Sequence, residues 1–215
     1  GLKDATLAPI TGGDLGNGQW TKLLDNTSVG KPLGSFYMYE YAGFDATNGK
    51  MLYYTATGAK VTQDALDANA DKKYVGSILP NSTYGVTLGM NYKNFDFSVD
   101  GYGTSGAKVY NGKKAQRFTG ENIEDSLATD FWTVNNTTAS KPGPFNQVPV
   151  ASTYYLESGD FFRINNITLG YKIPLKGEFL NSCRIYVNAI NPFITQKFSG
   201  FSPELNGNGD PYGTQ

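Results

Sequence analysis

The side chains most used for acid–base and nucleophilic chemistry are scarce in these 215 residues. Histidine is absent, so neither a Ser–His nor a Cys–His pair can form and the commonest general base is missing. Cys183 is the single cysteine, which excludes an intrachain disulfide and a thiolate metal cluster; quiet packing at a strand start is its expected role. Acidic residues are scattered over loop-like stretches and strand faces, and spacing brings no two carboxylates together. Catalysis is not expected, and no resident cofactor or metal is implied.

Two motifs match ligand sites by letter only. Gly101-Tyr-Gly-Thr-Ser-Gly106 has the G-x-G-x-x-G spacing, but a dinucleotide fingerprint must open a helix. The next residues, Ala107-Lys-Val-Tyr-Asn111, have strand character instead, so a glycine-rich strand end is the better reading. Asp67, Asn69 and Asp71 copy the first three ligands of a calcium loop. Lys72 then stands where the turn glycine belongs and Ile78 where the bidentate glutamate belongs, which leaves a solvated loop. Asn-x-Ser/Thr triplets begin at Asn26, Asn81, Asn136 and Asn166, as chance provides in a chain rich in Asn and Thr. The remaining candidates are Phe131, Trp132, Tyr154 and Tyr155, aromatics of a long loop-like stretch. Such rings either stack on a sugar or peptide or simply pack internally.

The elements that would carry these residues are strands. From Ile167 the alternation is strict, with Ile167, Leu169, Tyr171 and Ile173 on one side and Thr168, Gly170 and Lys172 on the other. A hairpin precedes it. Tyr84, Val86, Leu88, Met90 and Tyr92 alternate with small and polar residues, Lys93-Asn94 turns the chain, and Phe95, Phe97 and Val99 continue the apolar side. Ile185, Val187 and Ala189 supply an apolar face for a strand over 183–193. Soluble sandwiches also alternate, but spanning barrel strands do so over about ten residues, with aromatics where the apolar band ends. Phe161, Phe162 and Tyr171 sit at such ends, and Tyr92 and Phe95 flank the turn. The polar set Asn91, Asp96, Ser98, Asp100, Thr168, Lys172, Arg184 and Asn188 would then line a lumen. The fold expected is all-β, with antiparallel strands of a transmembrane β-barrel and long extracellular loops.

Composition agrees with that reading. Formal net charge is −1, which argues for neither nucleic acid nor an anionic surface as partner. The 39% hydrophobic content looks soluble and no run nears the roughly 18 apolar residues of a spanning helix, but neither argues against a barrel, whose strands expose only every second residue to lipid. Gly 26, Tyr 15 and Phe 13 suit tight turns and aromatic belts. No signal peptide or initiator Met opens the chain, which suggests a processed or partial chain. Residues 1–30 read as loop with an apolar patch at Trp20, Leu23 and Leu24. Next come a strand over 34–44, an Asn-Gly turn at Thr47-Asn48-Gly49-Lys50, and a return strand over 51–55. Residues 62–73 read as a short polar helix or loop. The excursion 104–158 reads as a long loop holding a short amphipathic helix over 121–131, on Ile123, Leu127 and Phe131, and a proline-rich loop from Lys141 to Pro149. The tail 195–215 reads as loop.

Ordered motifs span nearly the whole chain: Gly30-Lys-Pro-Leu-Gly-Ser-Phe-Tyr37, Ala70-Asp-Lys-Lys-Tyr-Val-Gly-Ser-Ile-Leu-Pro80, Tyr84-Gly85 and Tyr92-Lys-Asn-Phe-Asp-Phe-Ser-Val99. Gly106-Ala-Lys-Val-Tyr110, Phe131-Trp-Thr133, Ser158-Gly-Asp-Phe-Phe-Arg-Ile-Asn-Asn-Ile-Thr-Leu-Gly-Tyr171 and Arg184-Ile-Tyr-Val-Asn-Ala-Ile-Asn-Pro-Phe193 continue the series. Phe198-Ser-Gly-Phe-Ser-Pro-Glu204 closes it. In these residues the chain resembles the C-terminal barrel portion of the SusC/RagA family of TonB-dependent outer-membrane transporters of Bacteroidetes.

The resemblance implies a minor part of a plugged barrel of roughly 22 strands. Residues 1–215 would then be one part of a single β-barrel domain, with the plug and the final strand lying outside it. It implies an outer-membrane location in a Gram-negative cell, and energised import of glycan oligomers or peptides. A SusD-like surface lipoprotein and the TonB–ExbB–ExbD system are the implied partners, the latter through the N-terminal part of the whole protein. Phe131, Trp132, Tyr154 and Tyr155 would meet the lid or substrate. Two rival readings remain open: a SusC-like barrel serving as a structural subunit of an assembly or secretion complex, and a soluble carbohydrate-binding β-sandwich.

Overall fold

A computed structural model of the chain describes residues 31–32, 35–68, 70–116, 129–144, 147, 150–175, 182–200 and 202–204. The described strands lie in antiparallel sheets wherever their register is defined, and the chain is all-β apart from short helical turns. It divides into two compact units, one drawn from Gly1–Leu79, Lys108–Glu157 and Glu204–Gln215, the other from Pro80–Ala107 and Ser158–Pro203.

The first unit is built on β1 (Ser35–Phe44), β2 (Met51–Tyr54), β3 (Lys60–Val61) and β4 (Lys72–Ser77), in the order β3-β2-β1-β4. The expected Asn-Gly turn joins β1 to β2. Asp45 O accepts the amides of Asn48 and Gly49, its carboxylate accepts from Thr47 N and Asn48 Nδ2, and Gly49 takes φ +73 to close the loop. Within 62–73, Gln63–Ala65 forms a 3-10 turn, but Lys72 and Lys73 already belong to β4 and pair with Tyr39 and Met38.

The stretch 104–158 departs from the loop expected of it. A strand from Phe95, β6 (Phe95–Ser105), runs on to Ser105, and β7 (Lys108–Tyr110) pairs with β8 (Leu156–Ser158) in a small sheet. Helix α1 (Gly112–Gln116) and a 3-10 turn at Thr153–Tyr155 pack with them. Tyr110, Ala115 and Tyr155 join Phe36, Met38, Tyr39, Met51 and Tyr53 in one core cluster. Strands of three residues are too short to show a period, which is why the sequence hides them. Burial pushes the phenols of Tyr53, Tyr110 and Tyr155 well above their ordinary value and that of Tyr41 to about 12. The expected helix over 121–131 falls outside the described residues, apart from residues 129–131, which are irregular. So do residues 1–30, Asn69, residues 176–181 of the last turn and the tail from 205.

The second unit is one four-stranded sheet, β10-β9-β6-β5, of β5 (Ser82–Tyr92), β6 (Phe95–Ser105), β9 (Phe161–Pro174) and β10 (Ser182–Gln196). Strand β10 thus outruns the expected 183–193, and the loop starts after Gln196. Lys93 turns β5 into β6 at φ +54, a strain of about 1–2 kcal/mol that the eleven paired residues of the hairpin outweigh. Two irregularities bend the sheet: Asn165 is extra on β9, and Asn191-Pro192 is extra on β10, with Asn191 at φ +50. A proline, lacking an N–H, is tolerated in a strand at such a bulge.

Candidate functional site

Register sorts the second sheet into two chemically opposite faces. One carries the cross-strand rows Tyr84/Gly103/Phe162/Thr195, Val86/Gly101/Ile164/Phe193, Leu88/Val99/Ile167/Ala189, Met90/Phe97/Leu169/Val187 and Tyr92/Phe95/Tyr171/Ile185. Aromatics crowd both ends. Tyr84 and Phe162 stack at 6.1 Å, while Phe95 and Tyr171 meet at 4.6 Å. Between them the rows are aliphatic apart from Phe97, Phe193 and Gly101.

Two glycines of these rows answer the G-x-G-x-x-G motif. Gly101 and Gly103 lie inside β6, and a Cβ on either would run into the ring of Phe162 or Tyr84. They are seats for the aromatic pair, as a strand glycine covered by a neighbouring ring commonly is. The face is exposed despite its chemistry: Leu88 is 61%, Met90 62% and Val187 72% accessible. A soluble sandwich would bury such rows under a second sheet. Met90, Tyr92, Phe95, Phe97 and Leu169 also border an apolar hollow of about 380 Å³ on this face.

The opposite face carries the rows Asn91/Asp96/Gly170/Tyr186, Gly89/Ser98/Thr168/Asn188 and Thr87/Asp100/Asn166/Ile190, with Lys172 opposite Arg184 beyond them. Every residue of the polar set is thus on one side. Arg184 reaches diagonally over β9 to grip Asp96, Nε at 3.0 Å from Oδ1 and Nη2 at 2.5 Å from Oδ2. Thr168 Oγ1 donates to Asn188 Oδ1 at 3.1 Å and accepts from Asn166 Nδ2 at 3.2 Å. The arrangement offers hydrogen-bonding and charged groups to water or a polar solute.

The loop aromatics, placed in the first unit, separate into different roles. Trp132 is half-buried; its Nε1 donates to Ala46 O at 2.8 Å and its ring lies where a Cβ on Gly49 would stand. Gly143 N donates to Gly49 O at 2.9 Å, pinning the same loop to the β1–β2 turn. Tyr154 is half-buried against Tyr41 at 4.8 Å, with Lys114 Nζ 4.4 Å above its ring. Phe131 is half-buried. Tyr155 is fully buried, in contact with Tyr110 and Tyr154, and is a core residue with no surface to offer a partner. The carboxylates of the calcium-like triplet serve the loop itself. Asp71 accepts from Ala56 N and Asp67 N, Asp67 accepts from Ala70 N, and no group of three candidate metal ligands occurs among the described residues.

One polar latch had no sequence signal. Asp160 accepts from Gly106 N at 2.7 Å and from Lys197 Nζ at 3.0 Å, tying three chain segments at one end of the sheet. Those donors, the Gly106 amide first, hold its carboxyl below the usual carboxylate range.

No model of a protein family matches the chain. TonB-dependent receptor P3 of Formosa agariphila is 29% identical over 192 residues, covering 82% of this chain and 19% of that protein. The TonB-dependent receptor SusC of Bacteroides thetaiotaomicron is 30% identical over 218 aligned positions, covering 93% of this chain and 21% of SusC. In fold, the RagAB peptide importer in its open-open state superposes at a TM-score of 0.69 with 29% identity, over 81% of this chain and 20% of that one. The chain belongs to the SusC/RagA family of TonB-dependent receptors. It spans about a fifth of the length of these relatives. The open four-stranded sheet is what one segment of a SusC/RagA barrel looks like by itself. Its relatives are receptors and transporters rather than enzymes, in keeping with the absence of histidine.

Proposed function

We propose that this chain forms part of the barrel of an outer-membrane, TonB-dependent importer of large nutrients, either glycan oligomers or peptides. It works with a SusD-like surface lipoprotein and draws energy through TonB–ExbB–ExbD, contacted by parts of the protein beyond these residues. Residues 1–215 contribute to one barrel domain, and the plug lies elsewhere in the whole protein.

The observation that carries this reading is the exposed apolar face closed by aromatics at both ends. From Tyr84 to Tyr92 the strand advances about 26 Å at 3.3 Å per residue. Tilted by about 40°, it crosses about 20 Å, near the apolar band of an outer-membrane barrel. The rows from Leu88 to Val187 then meet lipid. Asn91, Asp96, Ser98, Asp100, Thr168, Lys172, Arg184 and Asn188 line the polar interior.

The Lys93-Asn94 turn is short and 104–158 is long, so the short turn is periplasmic and the long segment extracellular. Strands β5 and β9 run inward, β6 and β10 outward. Residues 55–80, 104–158 and 195–215 are then extracellular. There Phe131, Trp132 and Tyr154, each only half-buried, are the aromatics that a lid or substrate would meet.

Uptake tests the function. Cells carrying the full-length protein should accumulate labelled oligopeptides or labelled oligosaccharides only while TonB is present. Equal uptake without TonB, or none of either class, overturns the proposal.

A further inference from the structure

Tyr84, Phe162 and Thr195 form the last row of the apolar face, and beside them opens a cavity of about 300 Å³ unlike the hollow at the other end. Its lining mixes those rings with Asp160, Gln196 and Lys197. Lys197 is mostly exposed and spends one N–H on Asp160, leaving donors for a ligand. Gln196 donates through Nε2 to the carbonyls of Phe198 and Gly200, at 3.1 and 2.6 Å. Flat rings beside a carboxylate and an ammonium are the chemistry that holds a sugar ring: apolar contact for its faces, a paired acceptor and donor for its hydroxyls.

We propose that this cavity binds the saccharide headgroup of a membrane glycolipid, with the acyl chains laid on the rows below it. Continuity selects a lipid over a free sugar. Directly beneath the cavity come Val86, Ile164 and Phe193, then the exposed aliphatic rows, so one amphiphile can satisfy both surfaces. The proposal rests on the outer-membrane reading, which sets this end of β5 in the outer leaflet.

The test is native mass spectrometry of the full-length protein in detergent with added lipid A. Lipid A should remain bound, phosphatidylethanolamine should not, and both Thr195→Trp, which fills the cavity, and Lys197→Ala should reduce retention about tenfold. Lys197 is exposed enough that its variant folds even if Thr195→Trp does not. Unchanged retention in Lys197→Ala overturns the proposal. So does retention of the deacylated saccharide as strong as that of lipid A, which would mark a free-sugar site. Lipid retention together with TonB-independent uptake would sink the transport reading and leave this one standing.

Discussion

Arg184 on β10 grips Asp96 on β6 across an intervening strand, and it can do so only because residue 170 on β9 has no side chain. A Cβ there would lie inside contact distance of both the Asp96 carboxylate and the Arg184 guanidinium. Gly170→Ala should therefore part the pair and destabilise the full-length protein only slightly, because the groups it displaces are the ends of flexible, part-exposed side chains. Urea unfolding in detergent measures it. Asp96→Asn added to Gly170→Ala should cost less than the two single changes together. Full additivity would mean the glycine and the ion pair are independent.

The two faces of the sheet predict opposite tolerance. Arg at Leu88 or Leu169 should impair assembly, by about 2–4 kcal/mol near the midplane of a bilayer, while Arg at Thr87 or Thr168 should be tolerated. Folding into lipid vesicles, read by heat-modifiable migration, compares them. Equal damage on both faces would point to a core buried on two sides.

Asp160 ties pH to the end of the sheet. Its folded pKa is depressed, chiefly by the Gly106 amide and then by Lys197. The stability it contributes is therefore complete above the unfolded carboxylate value of about 4 and lost as pH falls through the folded value. Between pH 7 and 5 the wild type should lose nothing through this group, and below about pH 4 it should converge on Asp160→Asn. Thermal unfolding against pH reads the difference, which will be small because its partner Lys197 is mostly exposed. A gap that widened on acidification would contradict the latch.

Topology can be read on whole cells. Single cysteines at Asn136 and Asn94, in a Cys183→Ser background, should react differently with an impermeant maleimide. Asn136 should label and Asn94 should not. The reverse pattern would invert the strand directions and put residues 104–158 in the periplasm.

Local pattern carried the strands. The period-two runs from Tyr84 and from Ile167, the Lys93-Asn94 and Asn48-Gly49 turns, and the split of apolar and polar residues onto opposite faces were all legible in the chain. Each depends on residues within a few positions of one another. What the chain could not disclose was set by pairing over long separations. The bulges at Asn165 and at Asn191-Pro192 decide that Phe162 and Phe193 share a face with Leu88. Tyr155 and Trp132 looked alike as loop aromatics, yet one is sealed in a core made by residues some hundred positions earlier and the other leans on Gly49. Gly170 and Gly103 read as ordinary strand glycines until neighbouring strands brought Arg184, Asp96 and Tyr84 over them. Burial and register are properties of strand neighbours, and only the tertiary fold chooses those neighbours.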